Sequence, residues 1–284
     1  MANMNGKICM VTGATSGIGE ATSLELARMG ASVVLVGRNP SRCEASIARI
    51  KQETGNSSVE YLVADLSSMA QVRRAAQQFQ EKHRRLDVLV NNAGAAFLRR
   101  QVSVDGFEMT FALNHLNYFL LTLLLLDTLR ASPPARIVNV ASDSHRGQKL
   151  DFDDLQIQKG YSVMKAYGRS KLANVLFTYE LARRINGTSV TVNALHPGRV
   201  ATRIWEKGGP LNPLISLVMR RFSIPVDQGA KTVIYLASSP EVEGLTGEYF
   251  TDCKVVRSDP ASYDQATAKR LWDISLNLAG LPGN

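Results

Sequence analysis

The stretch AYGRSKLANVLF, Ala166 to Phe177, sets Tyr167 and Lys171 four residues apart in a run that reads as a helix. Four residues is about one turn at roughly 3.6 residues per turn, so phenol and ammonium share one face. Leu172, Val175, Leu176 and Tyr179 recur at helical spacing, which places much of this helix in the interior. A free phenol, with a pKa near about 10, is a poor base at neutral pH. An ammonium close by favours the phenolate and lowers that value, so the pair has the makings of a proton-transfer device. A partly exposed helix with a polar side explains one Tyr–Lys pair equally well, and the reading needs companions elsewhere in the chain.

The first companion is the turn TGATSGIG, with Gly13, Gly17 and Gly19, between an apolar strand pattern and a helical run that opens near Glu20. A dinucleotide site needs a tight turn, a close backbone approach to pyrophosphate, and amides at the positive end of a helix. The second companion follows the next strand. An NAD-binding chain carries an acid about 20 residues beyond the glycines to hold the ribose hydroxyls. Here LVGRN offers Gly37 and then Arg38. Glycine leaves room, and a guanidinium pairs well with a phosphate dianion. The expectation is NADP(H) in preference to NAD(H).

Six short Val- and Ile-rich runs alternate with helical ones: KICMVT, SVVLVG, VEYLVA, DVLVNN, RIVNVAS and SVTVNAL. Such runs read as buried parallel strands. In NPSRCEASIARIKQETG, Asn39 caps, Pro40 fills the first turn and Gly55 ends the helix, while Gly30 stops the helix before it. This order predicts an α/β fold, a doubly wound parallel sheet of the Rossmann kind, as one domain over residues 1–284.

With 284 residues, 45% hydrophobic and 20% charged, the chain has the composition of a soluble protein with a substantial core. Its 33 Lys+Arg and 25 Asp+Glu are scattered rather than blocked, which argues against nucleic acid as a partner. Three distant cysteines without a CxxC pair, and four histidines without ligand spacing, argue against disulfides and metal. The run YFLLTLLLL is too short to span a bilayer, and the amino terminus shows neither signal peptide nor anchor; a cytoplasmic location, or one at a membrane surface, is expected.

Taken in order, TGATSGIG, Asp65-Leu66, NNAG (Asn91 to Gly94), Asn114, Ser142, YGRSK and HPGRVAT resemble the short-chain dehydrogenase/reductase family over nearly the whole chain. YGRSKLANVLFTYELARRI, GEYFTDCK and TAKRLWDISLNLAG are most similar to its retinol dehydrogenase branch. The resemblance implies that Tyr167 is the acid/base of carbonyl reduction and alcohol oxidation, and that Lys171 holds the nicotinamide ribose. It implies that Ser142 polarises the substrate oxygen and that Asn114 holds a water relaying protons to Lys171. It also implies cofactor contacts at Gly13, Thr15, Ser16, Gly17, Ile18, Gly19, Arg38, Asp65, Leu66, Asn91, Ala93, Gly94, Pro197, Gly198, Val200 and Thr202, with Asp65 on the adenine amino group. His145, three residues after the serine, stands either against substrate or in no role. Ser16 occupies a position where many NADP-preferring relatives carry a basic residue.

The resemblance further implies a homodimer built on the helix containing LNHLNYFLLTLLLLDTL and on the Tyr167 helix. Residues 203–228, with Leu214, Ile215, Leu217, Val218 and Phe222 beside Arg220 and Arg221, read as an apolar lid. The substrate expected from it is a lipophilic carbonyl or alcohol, retinoid-like or long-chain. Two other readings compete: an NADP(H)-sensing protein without turnover, and a reductase of a ring C=C bond.

Overall fold

The computed structural model describes residues 2–198 and 224–283. Val200, Thr202 and most of the expected lid lie outside the described residues. Its last positions, 226–228, open the helix Val226–Ser238.

All six expected strands are present: β1 (Ile8–Thr12), β2 (Ser32–Gly37), β3 (Val59–Val63), β4 (Val88–Asn91), β5 (Ala135–Val140) and β6 (Val190–His196). Two short ones complete the sheet, β7 (Tyr249–Thr251) and β8 (Lys254–Val255). The strand order is β3-β2-β1-β4-β5-β6-β7-β8, parallel except for β8. The sheet is therefore doubly wound about β1, as expected.

Strand alternation feeds two cores. Met10, Val34, Val36 and Leu89 point to one face, against α3 (Met69–Lys82), the long helix α4 (Met109–Arg130), α5 (Val163–Arg184) and α7 (Gln265–Leu278). Cys9, Val11, Val33, Leu35, Val88 and Val90 point to the other, against α1 (Gly17–Arg28), α2 (Pro40–Thr54) and α6 (Val226–Ser238). The signals at the ends of α2 act as read. Asn39 Oδ1 accepts from the Arg42 amide at 3.0 Å, and Gly55 takes the left-handed conformation at φ 70°.

The long helix α4 is apolar enough in composition to cross a bilayer, yet its apolar window is 78% buried inside the fold. It is a core helix. A five-residue π-helical segment, Ala112–Leu116, interrupts it and carries Asn114; such bulges concentrate at functional positions.

The expected dimer interface meets a steric obstacle within the chain. Residues 170–181 of α5 are buried without a break, leaving no face there for a second copy. On one side they meet the sheet and α4; on the other, α7 lays Trp272 against Phe119 and Phe177, with ring centroids 5.0 and 5.9 Å away. Tyr263 stacks on Tyr179 at 5.2 Å. The apolar excess of the helix pair is consumed by the protein's own carboxy-terminal helix.

Candidate active site

The glycine turn, the NNAG loop, Ser142 and the Pro197-Gly198 turn all follow the carboxyl ends of neighbouring parallel strands, β1, β4, β5 and β6. That edge, where the strand order reverses, is where open α/β sheets bind ligands.

The glycine turn is a cradle with no room for side chains. A Cβ on Gly13, whose φ is +63°, would stand 2.9 Å from the Ala93 Cα. One on Gly19 would stand 2.5 Å from both the Gly13 carbonyl oxygen and the Asn92 amide nitrogen. Helix α1 begins at Gly17, earlier than the sequence pattern indicates, and its N-cap Ser16 is exposed and makes no capping bond. The helix thus presents its amide end at the turn, as an anion site requires. Two residues absent from the sequence reading stitch this turn to the next loop. Thr12 Oγ1 accepts from the amides of Asn92 (2.8 Å) and Ala93 (3.0 Å), and Asn92 Nδ2 donates to the Thr12 carbonyl at 2.8 Å.

Arg38 is exposed at the end of β2 and makes no hydrogen bond or ion pair with the described residues. Gly37 answers a packing need, because a Cβ there would meet Cys43 Sγ at 2.7 Å and Thr15 Cγ2 at 2.8 Å. The argument for a 2′-phosphate therefore rests on Arg38. The Asp65 carboxylate accepts through Oδ1 from the Ser67 amide (3.0 Å) and hydroxyl (2.7 Å), while Leu66 and Ile18 are buried in the cores on opposite faces of the sheet. Asn91 departs from its expected place. Its side chain is fully buried in the sheet, donating to Thr122 Oγ1 and Asn139 Oδ1 at 2.9 Å each, and so faces no ligand. Gly94 does lie at the centre, since a Cβ there would stand 3.2 Å from Asn114 Oδ1 and 3.7 Å from Lys171 Nζ.

Four residues from three elements converge on one buried spot. Tyr167 (7% exposed) and Ser142 (9% exposed) are both buried here, and the serine side chain acts on the phenol. Lys171 lies 5.6 Å from the Tyr167 ring centroid and donates from Nζ to the Val140 carbonyl at 2.8 Å. Close approach of α5 to the Ser142 turn depends on Gly168, where a Cβ would sit 2.7 Å from the Ser144 carbonyl oxygen. Asn114 Nδ2 donates to the Ala95 carbonyl and to Ser170 Oγ, 3.0 Å each, and Oδ1 accepts from the Ala95 amide at 2.9 Å. Both amide hydrogens are thereby committed, and a water at Asn114 has the second lone pair of Oδ1 or the backbone to bind. Ser170, whose hydroxyl also donates to the Tyr167 carbonyl at 2.7 Å, joins the two helices at this point.

The electrostatics differ from the sequence expectation. Burial pushes the Tyr167 phenol up to about 12, with the Ser142 side chain offsetting part of the rise. Burial also brings Lys171 down to about 7. Desolvation disfavours both charged forms, and at this separation it outweighs the attraction between phenolate and ammonium. Tyr167 accordingly holds its proton at neutral pH. His145, also fully buried, has both ring nitrogens bonded within the protein. Its Nδ1 bonds to the Ser142 carbonyl at 2.6 Å and its Nε2 to the Asp259 amide at 3.0 Å.

The short chain dehydrogenase family model matches residues 7–210, and the chain belongs to the short-chain dehydrogenase/reductase family. It is an oxidoreductase of the nicotinamide-dependent kind. The chain is 45% identical to retinol dehydrogenase 14 of Homo sapiens, over 98% of this chain and 88% of that protein. A solved structure of a Mycobacterium paratuberculosis protein superposes with a TM-score of 0.81 at 30% identity, covering 99% of this chain and 96% of the other. The Pseudomonas aeruginosa RhlG/NADP active-site complex superposes with a TM-score of 0.70 at 29% identity, covering 87% and 95%.

Proposed function

We propose that the protein interconverts a lipophilic carbonyl and its alcohol with NADP(H), with Tyr167 as the proton donor or acceptor. The observation that carries this reading is the convergence of Ser142, Tyr167 and Lys171 in one buried place, with Lys171 Nζ 5.6 Å from the Tyr167 ring centroid. A carbonyl oxygen placed between the two hydroxyls accepts from both, which polarises the carbon for reduction. Bound NADP(H) supplies the hydride in reduction and takes it up in oxidation. Tyr167, protonated at neutral pH, delivers its proton to the oxygen; in oxidation it must first lose that proton, so oxidation gains with rising pH. Lys171 is the group that holds the nicotinamide ribose and recharges Tyr167.

The residues fit the cofactor. Gly17 and Gly19 lie in the first turn of α1, whose amide end serves pyrophosphate, Asp65 keeps Oδ2 for an amino group, and Arg38 has its whole guanidinium for a 2′-phosphate. The likeness to RhlG/NADP supports the same choice. A lipophilic substrate is supported by the likeness to a retinol dehydrogenase and by the rim of the site. Tyr161 donates to the Phe97 carbonyl at 2.6 Å, which joins the loop after β4 to the approach to α5, and the neighbouring Leu98 and Met164 are 38% and 55% exposed. Because α7 covers α5, we assign the working form to the single chain.

The test is a kcat/KM series with NADPH over aldehydes of increasing length, with retinal included. Each buried methylene contributes up to about 0.8 kcal/mol, roughly fourfold, until the pocket is filled. A flat series, or one that favours short polar carbonyls, overturns the substrate class.

A further inference from the structure

We propose that His145 is a positioning residue for Ser142, and that through it the carboxy-terminal segment Arg257–Tyr263 becomes part of the active-site scaffold. The inference rests on the carbonyl-reduction reading and adds a residue to it.

Ser142 has little else to fix it. Among the described residues its hydroxyl hydrogen-bonds only with Ser144, through two contacts of 3.2 Å. The Ser142 carbonyl, by contrast, accepts twice from His145, from the backbone amide at 3.1 Å and from Nδ1 at 2.6 Å. The imidazole is fully buried, and its Nε2 accepts from the Asp259 amide at 3.0 Å. An imidazole that donates at Nδ1 and accepts at Nε2 is neutral and in one tautomer. Both nitrogens are used, so the ring is a strut between the serine and the segment beyond β8.

The clamp has further members. Asp259 Oδ2 accepts from the Gly147 amide at 2.8 Å, and Arg146 donates to the Arg257 carbonyl at 3.0 Å. Tyr249, edge-on to the imidazole at 5.0 Å, donates to Asp143 Oδ1 at 3.1 Å. The segment is itself anchored on the catalytic helix, where Ser258 Oγ meets the Tyr179 hydroxyl at 2.7 Å. The segment thus braces both the Ser142 turn and the helix that carries Tyr167. A serine displaced by about 1 Å costs on the order of a hundredfold in rate.

The test is a double-mutant cycle on carbonyl reduction, with His145→Phe and His145→Asn each placed in the wild type and in Ser142→Ala. Phenylalanine keeps the ring and loses both bonds; asparagine keeps a donor near the position of Nδ1. In the wild-type background His145→Phe should lower kcat about tenfold to a hundredfold and leave the NADPH Kd within about twofold, because Ser142 meets substrate and not cofactor. His145→Asn should recover most of that loss. In Ser142→Ala neither variant should lower kcat more than about twofold. A merely structural histidine lowers kcat equally in both backgrounds and overturns the inference. The asparagine arm decides by the same criterion where His145→Phe fails to fold. Absence of turnover in the wild type, with NADPH bound, overturns instead the reading on which the inference rests.

Discussion

Replacing Lys171 by methionine should abolish turnover while making the fold more stable, and the gain should shrink as pH rises. Lys171 is 2% exposed and pairs with no carboxylate among the described residues; its one hydrogen bond is to the Val140 carbonyl. Burial lowers its pKa from 10.5 to about 7. The folded value lies below the unfolded one, so between these limits the unfolded chain binds more protons and stability rises with pH. The buried amine therefore costs about 4 kcal/mol at pH 7 and only about 1 kcal/mol at pH 9.5. Methionine removes that cost but leaves the Val140 carbonyl without its partner, a loss of about 1–3 kcal/mol. The net expectation is a variant more stable than wild type by about 1–3 kcal/mol at pH 7, with the difference smaller by about 3 kcal/mol at pH 9.5. Tyr167, whose pKa is raised, adds an opposite slope only above its unfolded value near about 10. Urea unfolding of both proteins without cofactor at the two pH values reads the effect. A variant less stable than wild type at pH 7, or a difference that does not change with pH, refutes the assignment of a strained amine.

Arg38→Ala should weaken NADPH binding by about 1.5–3 kcal/mol, roughly ten- to a hundredfold, and leave NADH unchanged; titration of both cofactors against both proteins checks this, and equal wild-type affinities contradict it. Static light scattering should return the 31.0 kDa of one chain at micromolar concentration, because residues 170–181 of α5 are buried within the chain; twice that mass would show a dimer built on another surface. Alcohol oxidation should accelerate as pH rises toward the Tyr167 value of about 12, within the range where the fold survives, while carbonyl reduction changes little around neutral pH. A pH–rate profile in each direction measures this.

The sheet and the motifs that bring Asn114, Ser142, Tyr167 and Lys171 together were legible because each strong signal is local. Val-rich runs and the Asn39–Pro40–Gly55 punctuation depend on a few neighbouring residues. The hairpin of β7 and β8 was not legible. Its strands are three and two residues long, and its two-residue turn puts Asp252 and Cys253 at φ 51° and 61°, where an Asn-Gly pair would be the usual signal. Non-local facts were equally out of reach. Nothing in NNAG distinguishes Asn91, which turns into the sheet, from Asn92, which ties the glycine turn in place. Helix α7 reads as an ordinary amphipathic helix, and only its docking shows that it covers α5. The phenol and ammonium were correctly placed on one face. Their charges were not, because desolvation depends on everything that packs around them.

The central claim, that Tyr167 is the proton donor of an NADP(H)-dependent carbonyl reduction, is tested most directly by Tyr167→Phe. The change removes one oxygen from a buried site and leaves the ring beside Lys171. NADPH consumption with retinal should fall by about 10²–10⁴-fold, with the NADPH Kd within about twofold of wild type because the phenol is not needed to hold the cofactor. A variant that consumes NADPH at a rate close to wild type would contradict the account.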